Sequence, residues 1–326
     1  MLLQVKELKK YFQIRKGLLG KADTVRAVDN ISFDLEKGKT LGLVGESGCG
    51  KTTTSKLILR LLTCTSGKVY FEDEDIFNLN KDSMRHLRQQ MQLVFQNPYG
   101  CLNPRMQIGD IIGEPLIIHR LAKGRQKKEK IAQLLQLVGL SPDWNNRYPH
   151  EFSGGQLQRI GIARALATSP KLIVLDEPVS SLDVSIQAQI VNLLCDLQEE
   201  LKLSYIFISH DLRIVRQISD RVAVMYLGKI VELATTAEIY SRALHPYTQK
   251  LLASIPVPNP QIRKKMDILA GEVPSPINPP AGCRFQTRCE ELSDKCKEYE
   301  PELKKISPHH FVACHQRGNY DNKDKC

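Results

Sequence analysis

Two hydropathy rhythms alternate along the first 250 or so residues. Short apolar runs such as "TLGLVG", "MQLVFQ", "LIVLDE" and "YIFISH" read as buried strands. Between them apolar residues recur at helical spacing: Ile131, Leu134, Leu135 and Val138 in one segment, and Ile186, Ile190, Leu193, Leu194, Leu197 and Leu201 in another. Strands separated by helices predict an α/β body with a largely parallel sheet. The rhythm breaks near residue 245, since ten of the 17 prolines lie from Pro246 onward, in stretches such as "IPVPNP" and "PSPINPP". That shift predicts a loop-rich tail. There is no internal repeat and no coiled-coil heptad. The charged run Lys123 to Lys130, "KGRQKKEK", reads as a solvated helix face.

Composition narrows the class. A chain of 326 residues, 42% hydrophobic, can bury a full core and form one large domain with an appendage. The longest apolar runs fall far short of the roughly 18 residues that a membrane span requires. The N-terminus turns charged within a few residues and has no apolar signal core, so a cytosolic location is expected. The net charge of +10 suits nucleotide, anionic lipid or nucleic acid, and does not choose among them.

The motifs do choose. "GESGCGKT", Gly45 to Thr52, follows a strand-like run and precedes a helical one, the context that a phosphate-binding loop needs. Gly45, Gly48 and Gly50 let the backbone turn its N–H groups toward phosphates, Lys51 supplies charge to the β- and γ-groups, and the Thr52 hydroxyl can reach Mg²⁺. Glu46, Ser47, Cys49 and Thr53 complete the nucleotide-binding stretch, with no redox role for Cys49. In "KLIVLDE" an apolar strand ends on Asp176 and Glu177, which alternation sends to opposite faces. Asp176 suits the outer shell of Mg²⁺, and Glu177 suits polarisation of the attacking water. "FSGGQLQRIGIARAL", from Phe152, opens a second helix with a serine and two glycines, again a device for holding an anion.

In this order "GESGCGKT", "FSGGQ", "LIVLDEP", "SSLD" and "ISHD" resemble the nucleotide-binding subunits of ATP-binding-cassette (ABC) transporters over nearly the whole first 250 residues. The resemblance implies that two cassettes face head to tail, each ATP lying between the phosphate loop of one and the signature helix of the other. Two anion-binding helix starts in one chain then serve two different ATP molecules. It also implies roles for single residues: Gln96 as the Q-loop glutamine that senses Mg²⁺; Ser153, Gly154, Gly155 and Gln156 as the signature; Asp183 in the loop along the dimer seam; and His210 as the switch histidine at the γ-phosphate. Phe152 stands where leucine is commoner. Tyr11 matches the adenine-stacking aromatic, with Phe12 as alternative.

The tail, "LHPYTQKLLASIP" through "GEVPSPINPPAGCRFQTRC" to "HHFVACH", resembles the C-terminal extension of oligopeptide, dipeptide and nickel importer ATPases, as does "QNPYGCLNP" after Gln96. Four of its cysteines, Cys283, Cys289, Cys296 and Cys314, could hold zinc or a four-iron four-sulfur cluster. The resemblance favours the cluster, and tail disulfides are disfavoured in a reducing compartment.

The expected molecule is an α/β ABC-type ATPase core with antiparallel β and helical subdomains. The nucleotide-binding domain spans 1–255, its helical subdomain about 83–165, and a metal-binding extension 256–326. It hydrolyses Mg²⁺-ATP at the cytosolic face of the membrane, paired with a second cassette (a paralogue or a second copy) and two permease subunits, and is served indirectly by an extracytoplasmic peptide-binding protein. The alternative is a soluble ABC-type ATPase acting on nucleic acid. Relatives of that kind carry long coiled coils, a second cassette or inserted zinc fingers, and none is visible in this sequence.

Overall fold

The computed structural model describes residues 1–14, 23–255 and 274–317. In chain order the elements are β1 (Leu3–Ile14), β2 (Asp23–Leu35), β3 (Thr40–Val44), α1 (Lys51–Ile58), β4 (Ser66–Phe71), β5 (Glu74–Asp75), α2 (Lys81–Gln90), β6 (Met91–Val94), α3 (Pro98–Cys101), α4 (Ile108–Ile118), α5 (Gly124–Leu137) and α6 (Gly154–Leu166). There follow β7 (Leu172–Asp176), α7 (Val184–Leu201), β8 (Ser204–Ser209), α8 (Leu212–Ile218), β9 (Arg221–Tyr226), β10 (Lys229–Thr235), α9 (Thr236–Arg242), α10 (Pro246–Ala253), α11 (Asp294–Glu298), β11 (Lys304–Ser307) and β12 (His310–Val312). The contacts divide the chain into two units, each assembled from separated stretches.

The first unit comprises residues 1–2, 35–40 and 72–209. Its strands β6, β7 and β8 pair in parallel, Leu175 facing Val94 on one side and Phe207 on the other. All five residues of β7 and all six of β8 are buried, which is why these strands read as continuous apolar runs instead of alternating ones. Helices α3, α4, α5 and α7 pack on α6. In α5 the predicted stripe is present, with Ile131 and Leu135 buried; of the basic run, Arg125 and Lys128 are exposed while Lys127 pairs with Asp110 of α4 at 3.1 Å. Strand β6 lies within the span expected to be the helical subdomain, and the helices after it run from Pro98 to Leu166.

The second unit comprises residues 3–34, 41–71 and 210–326. One sheet has β1 between β2 and β4, with β4 antiparallel to β1. A second runs β11-β12-β10-β9-β3, in which only the β3–β9 pairing is parallel. The sequence suggested loops after residue 256, yet β11 and β12 come from that tail and extend the sheet from β10. The expected domain boundary at 255/256 falls where the described residues end.

A buried polar knot seats the tail on this sheet. Glu232 of β10, 0% exposed, accepts hydrogen bonds from the Leu244 and His245 N–H groups and pairs with His310 Nε2 at 2.7 Å. His245 caps α10 by accepting the Tyr247 N–H on Nδ1 at 3.0 Å. Burial pushes the His245 pKa down to about 4; the Glu232 carboxylate opposes that shift and Arg317 adds to it. The folded pKa lies below the unfolded one, so between about pH 4 and 6.5 the unfolded chain binds the extra proton and stability falls on acidification. From pH 7 to pH 5 the expected loss is on the order of 2 kcal/mol. Urea denaturation at the two pH values checks it; His245→Asn, which can still cap, flattens the difference.

Candidate nucleotide site

In the second unit the expected phosphate loop forms between β3 and α1. Gly45, Gly48 and Gly50 all have positive φ, at 150°, 79° and 107°, and Gly50 is the N-cap of α1. Two of them also sit where no side chain fits. A Cβ on Gly45 would lie 2.2 Å from the Met225 carbonyl oxygen, and one on Gly50 2.2 Å from that of Ala27. The first turn of α1 therefore presents its N–H groups at a loop that only glycine can form. The Lys51 ammonium, 5% exposed as a residue, donates to the Gly45 and Glu46 carbonyl oxygens at 2.7 and 3.0 Å. Ser55 anchors the turn by donating to the Thr52 carbonyl, and the Gly228 N–H donates to the Cys49 carbonyl. Cys49 is buried, and burial raises its thiol pKa against the pull of Lys51, which fits a packing role and no redox one.

The aromatic pair at the end of β1 splits as strand alternation requires. Tyr11 donates its hydroxyl to Asp29 at 2.5 Å, and the Arg26 guanidinium lies 5.7 Å from its ring centre. Burial and the Asp29 carboxylate push the phenol up to about 12. Phe12 is 37% exposed, with the Lys10 ammonium 5.0 Å from its ring centre. His210, also in this unit, is exposed and directly precedes Asp211, the N-cap of α8.

In the first unit Asp176 is the last residue of β7 and is 8% exposed. Glu177 follows in a left-handed backbone, φ 49°, its N–H donating to the Ile208 carbonyl of β8 at 3.0 Å. Gln96 Nε2 donates to Glu177 Oε2 at 2.9 Å and to Ser180 Oγ at 3.4 Å, so two residues that lie 81 positions apart meet. Ser153 is the N-cap of α6. Its hydroxyl accepts the Gln156 N–H, and Gln156 Oε1 accepts the Ser153 N–H in return. This capping box satisfies the Ser153 and Gln156 N–H groups, which leaves those of Gly154 and Gly155 without an intrahelical acceptor. A Cβ on Gly155 would come 2.5 Å from Ile186 Cγ2, so close packing of α7 also demands glycine there. Asp183 is the exposed N-cap of α7.

The cysteine quartet departs from expectation. Cys283, Cys289, Cys296 and Cys314 are all free thiols, and each of the other three adds to the charge environment that raises the Cys283 pKa. Burial is the larger cause, and it takes Cys283 up to about 12. Yet among the described residues no group of three or more Cys, His, Asp or Glu side chains is arranged to hold a metal ion. The Cys283 N–H donates to the Cys296 carbonyl at 2.7 Å, and Cys296 Sγ lies 3.3 Å from Ser293 Oγ. The iron–sulfur cluster, the zinc alternative and the metal-binding character expected of the tail thus find no support among the described residues.

Three residues that the sequence reading passed over touch the phosphate loop or its surroundings. Tyr247 accepts the Glu46 N–H on its hydroxyl at 2.9 Å. Arg288 grips the Glu46 carboxylate with two hydrogen bonds, at 2.7 and 3.1 Å. Arg284, buried, pairs with Asp29 and donates to the Leu227 carbonyl. Their only sequence signal was position, inside the "LHPYTQK" and "CRFQTRC" stretches that marked the tail.

Residues 28–180 match the family model described as ABC transporter, and residues 231–296 match that of the oligopeptide/dipeptide transporter C-terminal region. The oligopeptide transport ATP-binding protein AppF of Bacillus subtilis is 54% identical over 96% of this chain and 97% of its own length. The dipeptide transport ATP-binding protein DppF of Haemophilus influenzae is 48% identical over 96% of each chain. Among solved structures, the ATP-binding cassette MJ0796, in a dimeric post-hydrolysis state bound to ADP and Pi, aligns with a TM-score of 0.64 at 26% identity, covering 72% of this chain and 99% of that one. Among the described residues no helix is long and apolar enough to cross a membrane.

Proposed function

This chain belongs to the ABC transporter family, in the branch with the oligopeptide/dipeptide C-terminal region, and from that premise we propose that it is the ATP-hydrolysing subunit powering peptide import through a membrane permease. What carries the reading is the near end-to-end likeness to peptide transport ATP-binding proteins, together with a phosphate loop in which Gly45 and Gly50 cannot be replaced without collision. The reported relatives give the nucleic-acid alternative no support.

In this reading N–H groups of the Gly45–Thr52 loop other than that of Glu46, and of Thr53, take the β- and γ-phosphates, and Lys51 leaves its carbonyl partners to neutralise them. Thr52, Gln96 and Asp176 are the residues that would hold Mg²⁺; the ion's chemistry is to offset charge on the phosphates. Glu177 accepts a proton from the attacking water, and Gln96, bonded to its carboxylate, orients it. His210 donates to the γ-phosphate, and Tyr11 or Phe12 offers a ring to the adenine. A second cassette supplies Ser153 and the Gly154 and Gly155 N–H groups to the exposed side of the triphosphate, while Asp183 lies along the seam. Closing on ATP and reopening after hydrolysis moves two permease subunits between their inward and outward states. The subunit is thus peripheral, at the cytosolic face of the membrane, and the peptide reaches the permease from an extracytoplasmic binding protein.

Co-purification followed by transport in vesicles tests this. The expected outcome is recovery of multi-span permease subunits and peptide uptake that requires ATP on the side of this chain. ATPase activity stimulated by duplex DNA, with no membrane subunits recovered, would overturn it.

A further inference from the structure

Glu46, the second residue of the phosphate loop, poses an electrostatic problem. A carboxylate stands in a loop that must accept a polyphosphate, and two negative groups side by side repel. The structure answers it from the tail. Arg288 forms a fork-to-fork pair with both Glu46 oxygens, and the Arg288 side chain is 3% exposed against 24% for that of Glu46. Bidentate geometry of this kind fixes direction as well as charge. The Glu46 carboxylate is also the main cause that raises the Arg288 pKa.

Arg288 is itself rigidly held. It is the last residue of the one-turn 3-10 helix Gln286–Arg288, and its guanidinium lies 6.0 Å from the Tyr226 ring centre. Two residues before Gln286 comes Arg284, paired with Asp29, and between them Phe285, 1% exposed, packs edge-on to Tyr226 at 5.3 Å and tilted against Tyr247 at 5.5 Å. Tyr247 in turn takes the Glu46 N–H. Backbone and side chain of one loop residue are thus both fixed by residues more than 200 positions away.

We propose that Arg288 is a positioning residue for the phosphate loop: it neutralises Glu46 and holds it away from the bound polyphosphate, so that the 283–289 segment of the tail sets the affinity for nucleotide. This rests on the reading that the Gly45–Thr52 loop binds ATP. Loss of Arg288 strands an unpaired carboxylate beside the phosphates; loss of Glu46 as well removes the repulsion.

The test measures binding of Mg²⁺-ATP, Mg²⁺-ADP and adenosine by the full chain, with melting temperature recorded for each variant. Arg288→Gln is expected to weaken ATP about tenfold, ADP less and adenosine little, the penalty growing with phosphate number. Glu46→Gln with Arg288→Gln is expected to bind ATP at least about threefold more tightly than Arg288→Gln alone. Arg288→Lys, which keeps the charge, retains most of the affinity and covers the case in which Arg288→Gln fails to fold. Equal weakening for all three ligands, or a double variant as weak as Arg288→Gln, would overturn the proposal and leave ATP binding intact. Failure of the unaltered chain to bind Mg²⁺-ATP would instead overturn the reading beneath it.

Discussion

Glu177→Gln is expected to bind ATP normally and lose turnover by about 10²–10⁴-fold, the contribution typical of a positioned general base. The substitution keeps the shape and a hydrogen-bonding oxygen, so the contact with Gln96 Nε2, 2.9 Å in the structure, survives through that oxygen. What disappears is the negative charge that draws a proton from water. The left-handed backbone at residue 177 is unchanged, because glutamine has the same stereochemistry and branching as glutamate. The step that reopens the cassettes follows hydrolysis, so the variant should also accumulate as a dimer with two trapped nucleotides. Single-turnover hydrolysis and size-exclusion chromatography with ATP read the two effects separately. Turnover at the normal rate would remove Glu177 from its proposed role.

Gly50→Ala is expected to weaken Mg²⁺-ATP binding by about 100-fold or more. The new Cβ would have to occupy a place 2.2 Å from the Ala27 carbonyl oxygen, a backbone atom that cannot step aside without moving β2. The residue must also keep φ at 107°, a conformation costing a non-glycine residue roughly 1–3 kcal/mol. Relief comes by rotating the peptide at the start of α1, which swings the first N–H groups of that helix off the phosphates. About 2.8 kcal/mol of lost interaction is a hundredfold in affinity. Gly48→Ala is the contrasting control: φ is positive there too, but a Cβ meets no atom within 4 Å, and the loss should be smaller. Isothermal titration of both variants reads the difference, and equal affinity for Gly50→Ala and the unaltered chain would contradict the steric account.

These two positions illustrate what a sequence exposes. The strands β3, β7 and β8 were legible because each is buried on both faces and so appears as a mostly apolar run. The phosphate loop was legible because its chemistry is local: strand, glycines, lysine and helix follow one another within about 15 residues. The Ser153 cap was legible for the same reason, serine and glutamine standing three apart. The tail was not. Strands β11 and β12 are only four and three residues long, and they become strands by adding to β10, which no local pattern announces. The Arg288–Glu46 pair spans 242 positions, and an arginine that meets a distant carboxylate looks in sequence like any other charged residue. The cysteine quartet is the opposite case. Four cysteines and the resemblance suggested a metal cage, whereas among the described residues Cys283 and Cys296 meet through the backbone and form no disulfide.

The proposition that one triphosphate is enclosed by two chains is tested most directly by a structure of Glu177→Gln solved with Mg²⁺-ATP and its partner cassette. Ser153 of one chain should lie within hydrogen-bonding distance of a γ-phosphate seated on the other chain's Gly45–Thr52 loop. A nucleotide wholly enclosed by a single chain, with Ser153 turned to water, would contradict the account.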